Sequence, residues 1–109
     1  MNTSSKNWHA WLNAMPPKPD SFHVVGDVEV ANPGVKAILT MRAPQGINPG
    51  ILMLDLHLIQ EPGIWPQMMV CTQARYDRVM PPGSPNYSAV DVYQHGERIA
   101  YIDNIPVIT

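Results

Sequence analysis

The sequence predicts an all-β domain: a small antiparallel β-sandwich of about six strands, or a partly open barrel, with one short N-terminal helix. Three observations carry this. From Phe22 onward apolar and polar residues alternate with the period of two that a half-buried strand requires. Twelve prolines and seven glycines cut the 109 residues into short segments. The one run with helical spacing lies before Pro16. The expected organisation is residues 1–19 as helix and proline-rich spacer, then residues 20–109 as a single β-domain.

In the first segment Ser4 or Ser5 can cap a helix, and Trp8, Trp11, Leu12 and Met15 fall on one stripe. Pro16 and Pro17 end it. With Pro19 they form a stiff spacer, so the two tryptophans pack either on the domain's own sheet or across a boundary with a partner subunit. The first strand follows, with Phe22, Val24, Gly26, Val28 and Val30 on one face and His23, Val25, Asp27 and Glu29 on the other. Val35 to Arg42 alternates likewise. A four-residue loop, Ala31 to Gly34, would pair Val30 with Val35 and set Glu29 opposite Lys36, so a hairpin is expected there.

The run Ile51 to Ile59 is the most apolar of the chain. A weaker alternation covers Gln67 to Met80. Tyr87 to Gln94 and Glu97 to Val107 suggest a hairpin across His95–Gly96, pairing Val92 with Ile99, Val90 with Tyr101 and Tyr93 with Arg98. The size is immunoglobulin-like, but a single cysteine, Cys71, rules out the intersheet disulfide and any cysteine zinc site. If the strands run up and down in order, the proline-rich loops 43–50 and 80–86 share one end, with 61–67 at the other.

Charged residues make up 15% of the chain, against about 25% in an average domain. The net charge is −2 and the seven basic residues are dispersed, which argues against a nucleic-acid partner. Low charge with 45% hydrophobic residues points to a surface covered by another protein or a second copy of this chain, a homodimer being the simplest case. No basic stretch precedes an apolar leader, and no apolar run is long enough to span a bilayer, so a cytoplasmic protein without membrane contact is expected.

Asp55 and His57 carry the strongest chemical signal. They share one face of the Ile51–Ile59 run with Ile51, Met53 and Ile59, about 7 Å apart along the strand. Burial of either is costly without a partner. Further metal ligands would have to come from His23, Cys71 or Asp103, and no metal or nucleotide motif is present, so no metal or cofactor is expected. Cys71 reads as a small buried hydrophobe rather than a nucleophile. Trp65, in a proline-stiffened loop, is a partner anchor or a cap on the core, and Trp8 and Trp11 are the other aromatic candidates. The function expected is that of a non-enzymatic, soluble β-sandwich that mediates protein–protein interaction or self-association. The alternative is a small-molecule or metal-binding domain, even an enzyme, organised around Asp55 and His57.

Overall fold

Alternation of apolar side chains becomes eight strands, and none of the described residues is helical. The structure, a computed structural model, describes residues 4–109. In chain order the strands are β1 (Ser5–Asn13), β2 (Asp20–Val30), β3 (Val35–Met41), β4 (Ile51–Gln60), β5 (Val70–Met80), β6 (Ala89–Gln94), β7 (Glu97–Ile102) and β8 (Val107–Ile108). They form two four-stranded sheets, ordered β5-β2-β1-β8 and β3-β4-β6-β7. The sheets pack face to face as a sandwich and do not close into a barrel.

The expected N-terminal helix is a strand instead; residues 1–3 of that segment lie outside the described residues. Its stripe reads equally well with period two. Trp8, Ala10 and Leu12 point into the core, while His9 and Trp11 point out. Pairing with β2 settles the choice, because it satisfies the backbone and gives Trp8 a seat. Asn7, at φ 59°, and Trp8 form a bulge opposite Gly26. The Trp8 ring lies flat on that glycine: a Cβ there would stand 2.6 Å from Cζ3 and closer still to Cδ2 and Cε3. Only glycine leaves room for the indole.

The expected hairpin between β2 and β3 does not form, because the two strands belong to different sheets. Residues 31–34 carry the chain across the sandwich. β2 pairs instead with β1 and, over its whole length, with β5, from Asp20↔Met80 to Val30↔Val70. Lys36 therefore meets Glu61 at 2.9 Å rather than Glu29, and this contact raises the ammonium pKa through the hydrogen bond to Glu61 and its charge. Nor are the sheets purely antiparallel, since β4 runs parallel to β6 and β1 parallel to β8.

The hairpin between β6 and β7 forms across His95 (φ 52°) and Gly96 (φ 79°), both left-handed as a type I′ turn demands. Tyr93 lies opposite Arg98 as expected. A bulge then shifts the register, so that Val92 faces Ala100 and Val90 faces Ile102 rather than Ile99 and Tyr101. The core fills the space between the sheets, with Phe22, Val24 and Val28 from one side meeting Leu52, Leu54, Val90 and Val92 from the other. The loops 43–50 and 81–88 meet at one end, where Ser88 N donates to Gly50 O at 2.8 Å. The segments 31–34 and 61–69 meet at the opposite end, where Glu61 N donates to Gly34 O at 2.8 Å.

Candidate functional site

β4 turns Leu52, Leu54 and Leu56 inward, which places Asp55 and His57 on the outer face of its sheet. There each finds a partner on the β3 side rather than in the other. Asp55 Oδ1 accepts from Arg42 Nη1 at 3.3 Å, and His57 Nε2 is hydrogen-bonded to Thr40 Oγ1 at 2.9 Å. Arg42 also lies over the Tyr93 ring, 4.5 Å from its centroid. The result is a half-exposed, charge-neutralised row beside an open hollow of about 550 Å³ that Gln94 and His95 help to line. Among the described residues no three His, Cys, Asp or Glu side chains converge as metal ligands would. Cys71, expected buried, is exposed on edge strand β5, because Val70 and Thr72 take the inward positions.

The three tryptophans lie apart. Trp8 packs against the core, held by Nε1 donating to Ser5 Oγ at 2.9 Å. Trp65 folds back over Gly34, where a Cβ would come within 2.5 Å of its Cδ2, and donates Nε1 to Glu61 O at 3.0 Å. Trp11 stays on the outer face of the first sheet, stacked between His9 (5.6 Å) and His23 (5.1 Å).

His23 is the middle of a hydrogen-bonded chain that the sequence does not reveal, because its ends lie on different strands. Nδ1 meets Asp77 Oδ1 at 2.5 Å, and Nε2 meets Ser21 Oγ at 2.8 Å. Arg75 Nε donates to both Asp77 oxygens, at 3.0 and 2.8 Å. Burial raises the Asp77 pKa, but the bonds and charges of Arg75 and His23 outweigh it and hold the carboxyl below its usual value. An ionised Asp77 only accepts, so Nδ1 carries the proton of that bond, and Nε2 is left to the Ser21 hydroxyl. The connectivity is that of a hydrolytic triad. Its setting is different: β2 is an interior strand whose amides are committed to ladders on both sides, so none is left beside Ser21 to hold an oxyanion.

A second hollow, also about 550 Å³ but with mostly apolar walls, opens at the end where the proline-rich loop 81–87 returns. Its floor is Phe22 and Met80, with Leu12, Tyr87, Ile105 and Val107 as walls. Phe22 is buried because β2 is central, and Tyr87 meets it edge-on at 5.5 Å. The loop is fixed on itself, since Ser84 donates to Pro81 O through both Oγ (2.6 Å) and N (3.1 Å), and Gly83 takes φ 89°. At the rim Lys18 Nζ pairs with Asp20 Oδ1 at 2.6 Å. Sequence reasoning missed this site because four separate segments build it. The visible signal was the cluster Met80-Pro81-Pro82-Gly83-Ser84-Pro85 between two strands.

Compared with protein-family models, curated proteins and solved structures, the chain gives no match.

Proposed function

We propose that this protein is a non-enzymatic binding domain that receives an apolar ligand in the cleft at its proline-rich end. The cleft itself carries this reading. About 550 Å³ of mostly apolar space between a fixed loop and the sandwich is the size and character of a small-ligand site. Prolines 81, 82 and 85 restrict the loop before any ligand arrives, so binding costs little ordering entropy. Two sets of polar groups support a non-catalytic role: Asp55 and His57, singled out by the sequence, are engaged separately, and the β2 amides beside the Ser21–His23–Asp77 chain are committed to ladders.

The test is binding of a neutral apolar dye such as 1-aminoanthracene, followed by fluorescence. Ile105→Trp, which fills the cleft, should abolish binding while leaving the circular dichroism unchanged. Equal binding by that variant would remove the cleft from the function.

Self-association is a second reading, favoured by the opposite end of the molecule. There Ile64, Met68 and Met69 are all exposed, Ile64 completely. Light scattering at high micromolar concentration tests it, and a clean monomer would rule it out.

A further inference from the structure

Of the four strand edges that the two sheets leave open, three are blunted against pairing with another chain. β8 is two residues long, β7 has its register broken by a bulge, and β3 presents the exposed Lys36. β5 has none of these devices. It runs eleven residues, from Val70 to Met80, without proline, glycine or lysine, and pairs with β2 in one unbroken register. Among the described residues its ladder is with β2 alone, so the backbone donors and acceptors along its far side face no other strand. A long, uninterrupted edge of this kind is a template for a further strand.

The side chains of β5 indicate which strand fits. Its outward row is Cys71, Gln73, Arg75, Asp77 and Val79, and its inward row is Val70, Thr72, Ala74, Tyr76, Arg78 and Met80. A second copy of β5, antiparallel about a twofold axis, keeps both rows on their own faces when the axis passes at a residue. An axis at Arg75 sets that guanidinium against itself, and one at Asp77 does the same to the carboxylate. An axis at Ala74 sets Arg75 opposite Gln73, and axes nearer either end pair fewer residues. An axis at Tyr76 sets Arg75 opposite Asp77 of the other copy, and the symmetry repeats the pair. Both side chains are about half-exposed, at 46% and 48%, and so within reach of a neighbour. Asp77 already accepts from Arg75 of its own chain, so the four groups would form a square of alternating sign. The same axis brings the two Tyr76 side chains together and puts Arg78 opposite Ala74, whose methyl leaves the arginine room. We propose that the protein forms a twofold dimer through β5, residues 72–80 of each copy pairing antiparallel about Tyr76, so that one sheet runs through both copies.

This inference rests on the self-association reading and names its interface; the exposed Met68 and Met69 lead directly towards this edge. Light scattering and amide hydrogen exchange of the natural chain, run dilute and at high micromolar concentration, test the two separately. The expected result is a dimer that gains protection within residues 72–80. A dimer protected elsewhere would overturn the β5 edge and keep self-association, and a monomer throughout would overturn both. Charge exchange tests the register. Arg75→Asp and Asp77→Arg each turn two attractive cross-strand pairs repulsive, and each should weaken the dimer about tenfold or more. The double variant restores opposite signs and should recover the dimer. Single variants that dimerise as well as the natural chain, or a folded double variant that stays monomeric, would overturn the Tyr76 axis. The exchange measurement uses the natural sequence, so the edge is tested whether or not a variant folds.

Discussion

Gly26→Ala tests whether the N-terminal strand is seated as described. The new methyl would stand 2.6 Å from Trp8 Cζ3, whereas carbon atoms settle at about 3.5–4.0 Å, so the indole has to retreat by roughly 1 Å. Trp8 is not free to do so without loss. Its Nε1 is bonded to Ser5 Oγ, and the bulge at Asn7 aims it at this spot. Overpacking of this kind costs about 1–3 kcal/mol. Against it, removing a glycine restricts the unfolded chain and returns about 0.4–1 kcal/mol. The net expectation is a loss of about 1–2 kcal/mol, or a Tm lower by roughly 4–8 °C at this chain length. Urea melts of the wild type, Gly26→Ala, Trp8→Ala and the double variant give the coupling directly. With the indole gone, the added methyl should be neutral or mildly stabilising, so the two changes should be non-additive by at least 1 kcal/mol, within the range for contacting residues of about 0.5–3 kcal/mol. Additive effects, or a Gly26→Ala protein within about 0.5 kcal/mol of wild type, would refute the stacking of Trp8 on Gly26.

Three further outcomes follow from the geometry. Asp55→Ala should cost only about 0.2–1 kcal/mol in denaturant melts, because the Arg42 pair is partly exposed and Arg42 keeps the Tyr93 ring; a loss above about 3 kcal/mol would show a buried charge cluster instead. Asp77 has a folded-state pKa below its unfolded value of 3.8, so its stabilisation is complete above that value and is lost as pH falls through the depressed pKa. Melts from pH 5 downward should therefore fall more steeply for wild type than for Asp77→Asn, and parallel curves would contradict the Arg75 and His23 contacts. His95→Asn, matching the left-handed φ of 52°, should raise stability by a few tenths of a kcal/mol, whereas His95→Val should lower it by about 1–3 kcal/mol; equal melting of the two would argue against the type I′ turn.

Where a strand buries one face, the sequence showed it. The alternation from Phe22 to Val30 and from Ile51 to Ile59 maps onto inward and outward faces, and the turn at His95–Gly96 forms as its residue types demand. What failed depends on distant partners. Trp8, Trp11, Leu12 and Met15 satisfy a helical stripe, while Trp8, Ala10 and Leu12 satisfy a strand, and the choice falls to pairing with β2, where the bare backbone of Gly26 seats the indole. Glu29 and Lys36 match locally, yet Lys36 has Glu61 available once β3 joins the other sheet. The site was less legible than the fold. Asp55 and His57 stood out by contrast with their neighbours, whereas the His23–Asp77 bond spans 54 residues and the apolar cleft is assembled from segments far apart in the chain.

The two sheets are interleaved along the chain: one takes β1, β2, β5 and β8, the other β3, β4, β6 and β7. The chain therefore changes layers after β2, β4, β5 and β7. No single cut separates the two sheets onto different fragments. β6 lies beside β4 only after β5 has crossed to the far layer and back, and β8 closes onto β1 from the opposite terminus. Such wiring makes assembly nearly indivisible. Loops must close over long sequence distances before their contacts return free energy, which places folding on the slow, millisecond-to-second side for a chain of this size. It also means that strain at the Trp8 seat is shared with the ladder that carries the proline-rich cleft, because β2 borders both.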